Sequence, residues 1–208
     1  MTSSPTIGRV RAAMQRPLPG LAAQITMAPQ PRPFSPLAGV EPRRAGVLLL
    51  LYPINGALHL ALTVRTSNLN HHSGQVSLPG GGWEKGDASL QETALREARE
   101  EIGIAAGGLE LFGPLTPLYV PPSNNLVHPF VAYAGQRPVF HPDPQEVAEL
   151  LDVPLSILLD PATRREEDWG RGEATLHIPF YAVNGRQVWG ATAIVLAEFV
   201  ALLNRLQY

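Results

Sequence analysis

Glu97, Glu100 and Glu101 stand in the run Ala94-Leu-Arg-Glu-Ala-Arg-Glu-Glu-Ile-Gly-Ile104, and their spacing decides what they can do together. At about 100° per residue a helix puts Glu97 and Glu101 about 40° apart, and Glu100 widens the acidic side to an arc of about 100°. Leu90, Ala94, Leu95, Ala98 and Ile102 fill the neighbouring arc, which anchors such a helix on a sheet. Like charges four residues apart repel, and more strongly where water is partly excluded. A hard divalent cation removes that penalty. Carboxylate oxygens suit Mg²⁺ or Mn²⁺, which keep waters and recruit phosphate oxygens to complete an octahedral shell. Directly ahead, Gly80-Gly81-Gly82 lets backbone approach closely and offers its own amides or carbonyls to metal or phosphate. A Glu-rich helix face alone is usually just solvated, so the chemistry rests on the combination.

The elements that must position these residues follow from patterning. Val47–Tyr52 is a continuous apolar run, and Leu58, Leu60, Leu62 and Val64 alternate with His59, Ala61, Thr63 and Arg65, which predicts two strands. Asn55-Gly56 between them supplies the positive φ angles of a tight antiparallel hairpin. After a polar, Gly-rich stretch from Ser67 to Asp87, a helical pattern covers Ala88–Ile102 and stops at Gly103. Further strands are expected at Leu109–Phe112, Leu115–Val120, Leu126–Tyr133 and Ala174–Tyr181, with a second Asn184-Gly185 turn before Gln187–Trp189. Ala191–Leu206 reads as a mostly apolar helix buried on a sheet, and Trp189 and this helix read as core. Residues 1–44 carry eight prolines and form an N-terminal arm, either a lead-in along the domain or a linker, with one short helix near Ile7–Gln15; residues 45–208 form the domain. The sum is a mixed sheet with helices on its faces, an α+β or α/β sandwich.

Composition removes several classes. With 208 residues the chain can bury a proper core. Sixteen Lys and Arg against 18 Asp and Glu leave a net charge of −2, so no basic field holds a nucleic-acid backbone. The absence of cysteine excludes disulfides, a cysteine nucleophile and thiolate metal sites, and fits a reducing compartment. No apolar window approaches the roughly 18–20 residues of a membrane span, and Arg9, Arg11 and Arg16 precede a Pro-studded stretch rather than the apolar core of a signal peptide. A soluble cytoplasmic protein without membrane or nucleic-acid partners is expected.

Arg96-Glu97-Ala98-Arg99-Glu100-Glu101-Ile102-Gly103-Ile104 resembles the second half of the Nudix hydrolase signature, Gly-x5-Glu-x7-Arg-Glu-U-x-Glu-Glu-x-Gly-U with U aliphatic. Gly81 and Asp87 keep the spacing of the first half, although Asp replaces Glu and stands eight residues before Arg96 instead of seven. The resemblance implies a Nudix-type α/β/α sandwich with a mixed sheet and hydrolysis of a nucleoside diphosphate linked to another group. It also implies Mg²⁺ or Mn²⁺ held by Glu97, Glu100 and Glu101 with Gly81 beside them, a catalytic role for Glu100, a small-molecule nucleotide substrate, and a possible homodimer. A further acidic residue from another loop often completes such sites as base; Glu146 is the candidate and Glu149 the alternative.

Leu62-Thr63-Val64-Arg65-Thr66, His72, Gly74-Gln75 and Leu78-Pro79-Gly80-Gly81 resemble the coenzyme A pyrophosphatase branch of that family, as do Val153-Pro154-Leu155 and Trp189–Ala193. The branch has Arg where Asn70 stands here. The resemblance implies cleavage of coenzyme A or acyl-coenzyme A to 3',5'-ADP and (acyl-)4'-phosphopantetheine, with Arg65, His72, Gln75 and Ser77 as substrate contacts. ADP-ribose, NADH, dinucleoside polyphosphates or oxidised nucleoside triphosphates are the alternative substrates within the family. A catalytically silent binding module of the same fold is the reading of a different class, and it would be expected to have lost a metal ligand.

Overall fold

A strand buried on both faces needs apolar residues at every position instead of every second one, and residues 47–52 supply them. The computed structural model describes residues 5–205 apart from 37, 67–73, 106 and 172–173. In chain order its elements are α1 (Ile7–Met14), α2 (Leu21–Gln24), β1 (Arg43–Ile54), β2 (Ala57–Arg65), β3 (Val76–Ser77), β4 (Gly80–Gly82), α3 (Leu90–Ile102), β5 (Leu109–Pro114), β6 (Leu118–Val120), β7 (Asn125–Ala134), β8 (Val147–Pro154), α4 (Leu155–Leu159), β9 (Arg164–Arg171), β10 (Ala174–Val183), β11 (Arg186–Trp189) and α5 (Gly190–Asn204). Along β1, Leu49 and Leu51 enter one core while Leu48, Leu50 and Tyr52 enter the other, all of them fully buried.

The larger sheet runs β3-β2-β1-β7-β5, with β8 beside β2, β4 beside β1 and β6 beside β7. β1 is parallel to β7 and antiparallel to β2 and β4, so the sheet is mixed. Asn55 and Gly56 close the β1–β2 hairpin with φ of 50° and 81°. One face carries α3 through Ala94, Ala98 and Ile102. The other carries α5 through Ile194, Leu196, Phe199 and Leu203, together with the arm, whose Val10, Ala13 and Met27 join the same core. This is an α/β/α sandwich, with the small sheet β9-β10-β11 flanking the α5 side. No helix of the described residues is long and apolar enough to cross a membrane.

The structure departs from the sequence expectation in four places. Helix α3 starts at Leu90, because the Ser89 hydroxyl accepts the Glu92 N–H at 3.2 Å and caps it there. Residues 115–117 stay outside β6, since the Thr116 N–H is taken by a side chain of α5. β8 pairs along β2, although no strand was expected over residues 147–154. β9 is a strand of Arg, Glu and Asp with no apolar alternation to announce it.

That side chain of α5 is Glu198, which has no exposure at all. It accepts the Gly20 N–H at 3.1 Å, the Gln24 amide at 2.9 Å, the Thr116 N–H at 3.1 Å and the Thr116 hydroxyl at 2.6 Å. Four donors from two segments therefore converge on one buried carboxylate. In Glu198→Ala those donors lose their acceptor inside the core, and urea unfolding is expected to show a loss of about 3–5 kcal/mol, with proteolysis in the arm rising first. A change within about 0.5 kcal/mol, the range of ordinary surface substitutions, would contradict this role.

Candidate active site

Asp87 and Arg96 set the loop that precedes α3. Asp87 accepts the Glu84 N–H at 3.0 Å, the Thr93 hydroxyl at 2.9 Å and both Nε (3.0 Å) and Nη2 (3.1 Å) of Arg96. The Arg96 guanidinium holds the Asp87 carboxyl well below the usual carboxylate range, and Asp87 in turn raises Arg96. The one-residue offset of this acid therefore does not prevent a forked ion pair to the helix. Arg96 Nη2 also donates to the Gly82 carbonyl at 3.0 Å, and Nη1 reaches Glu97 at 3.0 Å and Glu100 at 2.9 Å. Loop, β4 and α3 are tied through one side chain.

Glu97 and Glu101 rise from α3 against the main chain of β4. A Cβ on Gly81 would stand 2.5 Å from the Glu97 carboxyl carbon, so only glycine leaves room for that carboxylate. The Gly80 N–H donates to Glu101 Oε2 at 3.0 Å, and Arg65 Nη1 lies 3.5 Å from Oε1. Glu101 is 3% exposed, and burial pushes its carboxyl up to about 7 against the pull of Gly80 and Arg65, with Glu146 and Glu97 adding to the rise. Burial likewise raises Glu97, opposed by Arg96 and reinforced by Glu100 and Glu146.

Glu146 lies just before β8, where the pairing with β2 slips between Val64 and Arg65. Its carbonyl accepts the Thr66 N–H at 3.0 Å, and its charge is felt by both Glu97 and Glu101. Glu149 instead pairs with Arg186. Glu100 is more than half exposed and engaged by Arg96. Among the described residues no three His, Asp or Glu side chains already stand at metal-holding separation. The donor set still fits a hard cation: it is all oxygen, and Glu97 and Glu101 are raised because burial outweighs the pull of their arginine and main-chain partners.

Arg65 leads from these acids into a cavity of about 410 Å³, lined also by Gln75, Ser77, Pro29, Arg32, Trp189 and Thr192. A second void of about 140 Å³, lined by Arg65, Ser77, Thr192 and Gly80, joins it to the strand that contacts Glu101. The structure thus gathers Arg65, Gln75 and Ser77 at one cavity beside Glu97, Glu101 and Glu146. His72, like Asn70, lies outside the described residues. Trp189, expected in the core, is only half-buried and lines the cavity, its ring edge-on to Trp169 at 4.8 Å. Pro29 and Arg32 of the arm escaped sequence reading, because nothing local marks a proline-rich arm as a cavity wall.

Comparison with known proteins supplies the context for this geometry. Residues 42–170 match the family described as NUDIX domain. The chain is 37% identical over 165 residues to "Nudix hydrolase 22, chloroplastic" of Arabidopsis thaliana, covering 75% of this chain and 54% of that protein. It is 33% identical over 181 residues to "Uncharacterized Nudix hydrolase NudL" of Pectobacterium atrosepticum, covering 87% and 91%. It is 34% identical over 167 residues to "Mitochondrial coenzyme A diphosphatase NUDT8" of Homo sapiens, covering 78% and 70%. The chain thus spans about half the length of the Arabidopsis relative and about nine tenths of the bacterial one. In fold it is similar to the crystal structure of the MutT protein from Methanosarcina mazei Go1, with a TM-score of 0.51 at 20% identity over 79% of this chain and 94% of that one.

Three outcomes follow from the geometry. A cation held by Glu101 would compete with its proton, so Mn²⁺ affinity measured by calorimetry should rise by up to about 10-fold per pH unit below pH 7 and level off above it. Glu101→Gln should flatten that slope, and a flat wild-type profile from pH 5.5 to 7.5 would contradict the assignment. The metal-free protein should meanwhile lose stability as pH climbs from 4.5 to about 7, since the folded state then keeps a proton that the unfolded chain releases. Gly81→Ala meets only the end of the flexible Glu97 side chain. It should fold with a melting temperature near that of the wild type yet bind Mn²⁺ about 10-fold more weakly.

Proposed function

The chain belongs to the NUDIX domain family, and from that premise we propose that it is a metal-dependent hydrolase of the diphosphate bond of coenzyme A or acyl-coenzyme A. The observation that carries the reading is the adjacency of a buried acid cluster and a cavity of about 410 Å³, with Arg65 shared between them. Glu97, Glu100 and Glu101 would hold Mg²⁺ or Mn²⁺, Glu100 by turning away from Arg96. The cation, when bound, neutralises phosphoryl charge and acidifies water. Glu146 accepts the proton of the water that adds to phosphorus as the bridging P–O bond breaks. Arg65 offsets charge on the diphosphate, and Gln75 and Ser77 hold the substrate in the cavity. Residues 1–44 act as an arm on a hydrolase domain of residues 45–208.

Support for coenzyme A comes from the human relative described as a coenzyme A diphosphatase and from the pattern Leu62-Thr63-Val64-Arg65. One observation favours a second substrate: Asn70 stands where the coenzyme A branch has Arg, which suits a nucleoside diphosphate lacking a further phosphate, such as ADP-ribose. Purified protein with coenzyme A and, separately, ADP-ribose, each with and without Mg²⁺ or Mn²⁺, decides by mass-resolved product analysis. The expected products are 3',5'-ADP and 4'-phosphopantetheine, formed only with metal. AMP and ribose 5-phosphate alone would move the substrate, and no metal-dependent hydrolysis of either would overturn the proposal.

A further inference from the structure

Arg32 is the one described arm residue whose charge faces the cavity. The arm is held at two points ahead of it: Gln24 bonds Glu198 and the Thr116 carbonyl, and Gln30 exchanges main-chain bonds with His177 of β10 at 2.9 and 3.0 Å. Arg32 therefore projects two residues beyond a fixed bridge. Its Nη2 donates to the Tyr119 carbonyl, its guanidinium carbon lies 5.5 Å from the Phe34 ring, and its Nε is buried without a partner. Among the described residues no carboxylate pairs with it. Burial pushes its pKa down with nothing opposing. A guanidinium presents five N–H donors in a plane that matches a phosphate or carboxylate, and here it makes only one hydrogen bond, to a neutral carbonyl.

The cavity wall has the same bias. Among the described residues its charged lining is Arg32 and Arg65, with no acid, in a chain whose net charge is −2. Arg65 also lines the small void that reaches β4 and the acid cluster, whereas Arg32 does not. The two cations therefore serve different parts of a ligand: Arg65 the group beside the metal-binding acids, Arg32 an anion further into the larger cavity.

We infer that Arg32 is a specificity-determining residue that binds a phosphate monoester of the substrate, separate from the diphosphate that is cleaved. The inference deepens the coenzyme A reading and rests on it, since coenzyme A carries one such group, the 3'-phosphate, and ADP-ribose carries none. Arg32 thereby supplies from the arm a charge that Asn70 does not.

Calorimetric titration of the full chain with 3',5'-ADP and with AMP tests this without catalysis. Wild type should bind 3',5'-ADP at least about 10-fold more tightly than AMP. Arg32→Gln should bring the ratio close to one while AMP affinity stays unchanged, and Arg32→Lys, which keeps the charge without the fork, should fall between. A wild-type ratio near one, an unchanged ratio in Arg32→Gln, or equal weakening of both ligands would overturn the inference. Where Arg32→Gln fails to fold, Arg32→Lys carries the test: its ratio should fall below that of the wild type, and an unchanged ratio overturns the inference. Turnover of coenzyme A by the wild type is read separately: its absence alongside an Arg32-dependent ratio sinks the substrate reading and leaves the phosphate site standing.

Discussion

Bare backbone at Gly46 sets how close α3 lies to β1, bare backbone at Gly80 sets how close β4 lies to β1, and the acids at the site take their positions from those two approaches. A Cβ on Gly46 would stand 2.3 Å from the Leu90 carbonyl oxygen, one on Gly80 2.4 Å from the Gly46 carbonyl oxygen, and one on Gly81 2.5 Å from the Glu97 carboxyl carbon. The helix answers with small residues of its own, Ala94 and Ala98, both fully buried. At Gly46 and Gly80 main chain therefore meets main chain, at a separation that larger side chains would forbid, and at Gly81 it meets the Glu97 carboxylate. Glu97 and Glu101 consequently press into the backbone of β4 instead of pointing into water, and the Gly80 N–H becomes a donor to a carboxylate.

The same approach sorts acids by what surrounds them. Asp87 sits in a fork of Arg96 with further donors and stays charged at any ordinary pH. Glu101 has one main-chain donor and an arginine at 3.5 Å, and burial outweighs both. Arg96 reaches Glu97 at 3.0 Å while also bonding Asp87, Glu100 and the Gly82 carbonyl, and the burial of Glu97 outweighs that pull. Asp87 is thereby fixed in a structural role in the loop ahead of α3, while Glu97 and Glu101 on the helix carry a burial cost that their partners do not fully offset. A cation arriving at those acids relieves an electrostatic cost that is already present in the folded protein, which adds to its affinity without further rearrangement of the chain.

Legibility in the sequence tracked the range of the interaction. The apolar runs of β1 and β2, the Asn55-Gly56 turn and the face shared by Glu97 and Glu101 are local patterns, and each can be read within a dozen residues. Asp87 looked out of register because spacing counts residues, whereas the long Arg96 side chain tolerates one residue of offset. Glu146 could be named but not placed, because its position depends on β8 pairing with β2 and on a slip of register at Arg65. β9 carries no apolar alternation, since its strand order comes from hydrogen bonds to β10. Trp189 and Arg32 meet across more than 150 residues at the cavity, and no window of sequence contains both.

The arm shows why such long-range features still occupy defined positions. Proline denies it regular structure over most of its length, so it cannot order itself. Order comes from outside, through the Glu198 carboxylate at one point and the main chain of His177 at another. An apolar residue at 198 could fill the same space in α5, but it would accept the packing of any segment that fitted. A buried carboxylate tolerates only a segment that delivers its donors, and the Gly20 N–H and the Gln24 amide do so in one register of the chain. Pro29 and Arg32 follow within eight residues of Gln24 and inherit that register. A charge buried on the far side of the sheet from α3 thus determines which side chain the arm presents to the cavity.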